Sequence, residues 1–247
     1  MAGIEFLSPE GLRVDGRRSH EIRKVQCKMG VSKHADGSAY VEQGNTKVVA
    51  SVYGPHEVLS RSKSLHDRAL INCQYSIAAF STGERRFRSK SDRRSLEIGR
   101  MIKEAIEAAV LTELAAKSQI DIYVQILQSD GGNMCACINA ATLALIDAGI
   151  PMRDFMCGCS AGLIEDTPII DINYLEEGAS GPNLSIAVLP RSEKVVLYYM
   201  DSRMHVDNLE KVLRAATQGC HDVFGILNRT VREHVDQHIG VLDSTES

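Results

Sequence analysis

The 247-residue sequence has no tryptophan, and its aromatic content is seven tyrosines and five phenylalanines. That is too little for the extensive stacking platforms that grip single-stranded nucleic acid. With 19 glycines and 6 prolines the chain is neither collagen-like nor low-complexity. No apolar run approaches the roughly 18 residues a membrane helix needs. The opening residues MAGIEFLSPEG lack a basic segment followed by an apolar core, so no signal peptide is expected, and the protein is expected to be soluble, intracellular and without a membrane partner. Seven cysteines, an odd number in a chain of this size, argue against a disulfide framework. An overall basic charge is also missing, since the formal net charge is −4.

Apolar residues at 44% and charged residues at 24% are those of a globular chain. Strands are expected over 23–33, 38–43, 46–53 and 69–80, with Asp36-Gly37 and Gly44-Asn45 as hairpin turns. Ile98, Met101, Ile102, Ala105, Ile106 and Ala109 recur at helical spacing, which predicts a helix over 92–112. Ile120, Ile122, Val124 and Ile126 alternate as in a strand. The segment 133–148 is small and apolar on nearly every face, so it reads as a buried helix stopped by Gly149 and Pro151. Strands follow over 155–164, 168–173, 184–190 and 194–201, then a long amphipathic helix over 206–238. No linker interrupts this order, which predicts one domain of α+β or mixed α/β class over 1–247, with its core over 11–238 and a frayed tail from Gly240 to Ser247. The polar stretch 54–68 reads as a loop.

Charge is concentrated rather than absent. Residues 84–103 hold eight Lys/Arg against three Asp/Glu, a local +5 that leaves −9 on the remainder. Guanidinium groups at this density suit a polyanion. Arg93 and Arg94 fall in the first turn of a predicted helix, where basic side chains oppose the macrodipole, so their placement favours a functional site over a solvated face. Asp130-Gly131-Gly132-Asn133-Met134 sits between a strand and a helix and reads either as an anion-binding turn or as a simple tight turn. Glu176-Glu177, followed by Asn183, offers paired carboxylates for Mg²⁺, with a solvated acidic loop as the plainer reading. The Cys135/Cys137 and Cys157/Cys159 pairs raise a metal–thiol reading, but their spacing is shorter than usual for zinc, and buried thiols account for them better.

Taken in order, Arg13-Val-Asp15-Gly16-Arg17, Asp36-Gly37-Ser38-Ala39-Tyr40, Glu42-Gln43-Gly44-Asn45-Thr46, Tyr53-Gly54-Pro55, Arg93-Arg94-Ser95, Gln128-Ser-Asp130-Gly131-Gly132, Asn139-Ala140 and Asp147-Ala148-Gly149-Ile150-Pro151-Met152 resemble the ribonuclease PH family, in register over about residues 11–238. The resemblance implies a ribonuclease PH-like fold, a duplicated β-α-β unit with mixed sheets packed on helices. It also implies assembly into a six-membered ring around a channel for single-stranded RNA. Active members cleave RNA from its 3′ end with phosphate, using Thr or Ser then Arg after the two glycines, and two aspartates six residues apart for metal and proton transfer.

Here those positions are Asn133 and Met134, and Glu177 and Asn183. Met donates no hydrogen bond and Asn cannot ionise, so the resemblance implies an exosome ring subunit that is not an enzyme, with no catalytic residue, metal or cofactor. Arg93 and Arg94, the family's RNA-contacting pair, are intact; Arg61 and Lys63 are further RNA candidates if the 54–68 loop lines the channel rather than the surface. The implied partners are single-stranded RNA, a ribonuclease PH-like subunit of the ribosomal RNA-processing protein 45 type, S1/KH cap subunits and an associated exoribonuclease. The implied work is rRNA processing and mRNA decay in nucleus, nucleolus and cytoplasm; an active phosphate-dependent exoribonuclease is the alternative.

Overall fold

The computed structural model describes residues 6–8, 10–58, 65–83, 85, 92–164, 166–178 and 181–245, with side chains of the last helix through residue 237. Strands β1 (Val25–Met29), β2 (Gly37–Gln43) and β3 (Thr46–Glu57) form an antiparallel meander. Strand β4 (Leu70–Ile77), helix α1 (Arg93–Ala109) and strand β5 (Ser118–Gln128) make a β-α-β crossover, with β4 and β5 parallel. The resulting five-stranded sheet has the order β1-β2-β3-β5-β4. Helix α2 (Asn133–Asp147) then leads into β6 (Cys157–Ile164), β7 (Thr167–Ile170), the one-turn helix α3 (Tyr174–Glu177), β8 (Asn183–Leu189) and β9 (Lys194–Met200). These strands form an antiparallel sheet of order β7-β6-β8-β9, closed by helix α4 (Val206–Thr245).

The alternating Ile120, Ile122, Val124 and Ile126 are all buried, on the face of β5 turned toward the helices. Helix α2 packs on β2 and β3 from one side and on β6 and β8 from the other. From Met134 to Leu145 every one of its residues is buried, because it has a sheet on both sides and no solvent face. Its close approach to β6 depends on Gly158, where a Cβ would stand 3.1 Å from the Cys135 Cα. Asn139 completes the contact: its side chain donates to the Gly158 carbonyl at 3.0 Å and accepts from the Gly158 N–H at 2.7 Å. The amide thus satisfies backbone groups that would otherwise be buried without partners. On the opposite face of β6, Cys159 meets α4 at Gly219.

Most predicted elements lie within a few residues of those observed, with three differences. Strand β3 continues to Glu57, into the stretch read as a loop. Arg61 and Lys63 lie outside the described residues. Helix α4 continues to Thr245, past Gly240 where a frayed tail was expected; one glycine costs a helix only about 1 kcal/mol, and no proline follows to stop it. Helix α3 falls where a loop was read, since a single turn is too short to show a period.

Candidate RNA-binding cleft

Between the two sheets opens a cleft of about 920 Å³. One wall is the N-terminal half of α1, with Arg94, Ser95, Glu97, Ile98 and Met101; another is the start of α2, with Gly132, Asn133 and Met134. The strand register supplies the floor. Ser160 pairs with Ser185, and Ser185 with Tyr199. The N–H of Asp201 donates to the Asn183 carbonyl at 3.1 Å. Ser160, Asn183, Ser185 and Tyr199 therefore reach the cleft from three adjacent strands, and Asp201 from the residue that follows β9. Ile172, Tyr174 and Glu177, from the β7–α3 segment, complete it.

Gly131 and Gly132 both have left-handed backbone, with φ of 79° and 63°. At Gly131 a Cβ would lie 2.6 Å from the carbonyl carbon of Asn173 and 2.7 Å from the Ile172 oxygen. The turn is therefore both a helix start and a backbone-to-backbone contact between two walls of the cleft. The Gly132 N-cap makes no side-chain cap bond, so the first N–H groups of α2 are directed at the cleft without a capping side chain.

Arginines from the chain's first segment hold the β7–α3 wall. Arg13 pairs with Glu176, both side chains fully buried, and Glu176 also closes a capping box with Asn173 at the start of α3. Arg17 donates to the Asp171 carbonyl at 3.2 Å. Arg23 binds the Asp171 carboxylate and also the Asp130 and Gly131 carbonyls.

The structure gathers Arg94, Asn133, Met134, Glu177 and Asn183, far apart in sequence, into this one cleft. Arg93 is not among the lining residues: its side chain is 93% exposed and pairs at 3.1 Å with Glu97, which does line the cleft, so it stands at the rim. The structure also separates the two acids once read together. Glu176 is 1% exposed and turned inward, so it is neither solvated nor a ligand partner of Glu177. Burial raises the Glu177 carboxyl above the ordinary glutamate value, opposed by Arg94 and reinforced by Asp201. Among the described residues no group of three or more His, Cys, Asp or Glu is placed to hold a metal ion. Cys135, Cys137, Cys157 and Cys159 are buried thiols, and burial pushes Cys135 up to about 12. Sequence reading missed Asp201, Tyr199, Ser160 and Ser185, which become neighbours only through strand pairing, and the tethering role of Arg23.

Two family models match the chain: the 3′ exoribonuclease family domain 1 over residues 21–151 and domain 2 over residues 154–219. The chain belongs to this family, the ribonuclease PH fold. It is 58% identical over 236 residues to the human exosome complex component RRP41, covering 95% of this chain and 96% of that one. It is 42% identical to the exosome complex component Rrp41 of Methanopyrus kandleri, covering 92% and 95%. The solved Archaeoglobus fulgidus exosome with RNA bound to the active site has the same fold, with a TM-score of 0.75 at 21% identity over 87% of this chain and 92% of that one.

These matches correct the expectation of a chain that is not an enzyme. It lies in a family of 3′ exoribonucleases and aligns almost end to end with an archaeal Rrp41. The physical reason lies in the cleft. Counting Met134, Glu177 and Asn183 as losses overlooked Asp201, which brings a second carboxylate beside Asn183 from the residue after the neighbouring strand. Inactivity does not follow from those three positions.

Proposed function

We propose that the protein is a core ring subunit of an RNA exosome and that this cleft holds single-stranded RNA threaded for 3′-to-5′ processing. Arg94 carries the reading. It is the cation of the α1 first turn that lines the same cleft as the uncapped start of α2. A guanidinium and backbone N–H groups facing one space suit a phosphate. The relatives named as exosome components, matched over nearly their full length, support the assembly. On this reading the partners are other ribonuclease PH-like subunits, one of the ribosomal RNA-processing protein 45 type, together with S1/KH caps and an exoribonuclease. The same reading sets its work in nucleus, nucleolus and cytoplasm, which a tagged protein confined to one compartment would correct.

The test is Arg93→Glu with Arg94→Glu in the reconstituted ring. RNA crosslinking and degradation should fall while the ring still forms. Undiminished crosslinking would overturn the reading, and ring collapse would make the arginines structural. The unmutated ring, given phosphate and Mg²⁺, reports phosphorolysis directly as released nucleoside diphosphate.

A further inference from the structure

A phosphate grip accounts for one part of a nucleotide. Arg94, the N–H groups at the start of α2 and the serines of the floor offer charge and hydrogen bonds, but a nucleobase also presents a π-face, for which an aromatic ring is the fullest match. Tyr174 supplies such a face in the same cleft. It lines the cavity yet is 62% exposed, so most of its ring is not used in packing the protein.

Its mounting is rigid. Tyr174 opens α3, whose first turn is fixed by the Asn173–Glu176 capping box and by the buried Arg13–Glu176 pair. The backbone beneath it abuts the glycine turn, since a Cβ on Gly131 would lie 2.8 Å from the Tyr174 nitrogen. The ring is therefore carried next to the residues that start α2, one helical turn before Glu177. Tyr199, the other exposed tyrosine of the cleft, is committed differently: its hydroxyl donates to Asp201 at 3.3 Å.

We infer that Tyr174 is a stacking subsite for one RNA base, the base of the nucleotide whose phosphate lies between Arg94 and the start of α2. The inference rests on the reading of this cleft as an RNA site. It is a single ring rather than a platform, in keeping with a chain poor in aromatics. Every base has a π-face, so the subsite is tolerant of sequence.

The test uses the full-length chain in its ring and 5′-labelled single-stranded RNA. One set of oligonucleotides carries a single abasic site at each of the last four positions in turn. Tyr174→Ala should weaken binding of intact RNA roughly tenfold, whereas Tyr174→Phe, which keeps the face, should bind as wild type does. One abasic position should cost wild type the same factor and cost Tyr174→Ala nothing further, the signature of a direct base–ring coupling. Absence of coupling at all four positions would overturn the inference, as would a Tyr174→Phe variant as weak as Tyr174→Ala. Arg94→Glu keeps the two readings apart. It should weaken intact and abasic RNA alike; if it has no effect while the Tyr174 coupling stands, the phosphate reading fails and the base subsite survives.

Discussion

Arg23 and Asp171 form a buried ion pair of three bonds. The Arg23 Nη2 donates to Oδ1 at 2.7 Å, and its Nε and backbone N–H both donate to Oδ2, at 3.0 and 2.7 Å. Because the same guanidinium binds the Asp130 and Gly131 carbonyls, the pair ties the glycine turn to the wall that carries Glu177. Asp171→Asn preserves the shape but leaves the arginine charge buried and uncompensated. It should cost about 3–5 kcal/mol in urea unfolding at neutral pH. The pH dependence has a definite sign. Burial raises the Asp171 carboxyl, but bonding and charge from Arg23 outweigh it and hold the group below its ordinary 3.8. A carboxyl lowered on folding contributes stability that is complete above the unfolded value and lost as pH falls through the folded one. Wild type should therefore lose stability on acidification below the ordinary carboxylate range more steeply than Asp171→Asn does.

The two neighbouring arginines of α1 should behave differently. Arg94 lines the cleft, whereas Arg93 is exposed at its rim and paired with Glu97. Arg94→Glu should weaken RNA binding by about tenfold or more and reduce the salt slope by about one. Arg93→Glu, at the rim, should change affinity less than about threefold. Fluorescence anisotropy across a salt series measures both, and equal effects would move the RNA path to the outer face of α1.

On the proposed reading, the charge of Glu177 opposes RNA. Its carboxyl is raised by burial and by Asp201, against Arg94, so it takes up its proton at higher pH than an ordinary glutamate. Glu177→Gln should bind RNA a few-fold more tightly than wild type at pH 7.5 without divalent ions. The advantage should shrink on acidification, and begin to do so at higher pH than an ordinary glutamate would show, as wild type takes up its proton at this position. A gap that stays constant from pH 7.5 down through the glutamate range would place Glu177 away from the bound RNA.

Gly131→Ala tests the contact between the cleft walls. Its left-handed backbone and the 2.6 Å approach to Asn173 both resist a side chain. Gly149 has a similar φ of 69° but nothing within 4 Å of a Cβ. Gly149→Ala should therefore show the backbone strain alone, about 1 kcal/mol, and Gly131→Ala distinctly more. Comparing the two in thermal unfolding isolates the cost of pushing the walls apart.

What the sequence could show follows from the range of each interaction. The α2 helix was legible because it is apolar all round, and β5 because Ile120, Ile122, Val124 and Ile126 alternate without a break. Arg94 and the glycine turn were legible as neighbours of helix starts. Glu176 was not, since one turn of helix shows no period and its partner, Arg13, lies 163 residues away. Asp201 was invisible for a related reason. Only the register of β8 against β9 sets it beside Asn183, so a comparison of matching positions counted a missing carboxylate and not its neighbour.

The position of α2 between two sheets has a dynamic consequence. A helix with a free face can fray or detach while the rest of a protein stays folded; one packed on both sides can leave only when both sheets separate. Its amide hydrogens should exchange with solvent at the slow limit set by whole-molecule unfolding. Because that helix begins in the cleft, anything bound at its first turn acts on the least yielding part of the protein. Such a ligand should slow exchange throughout the molecule rather than near the cleft alone.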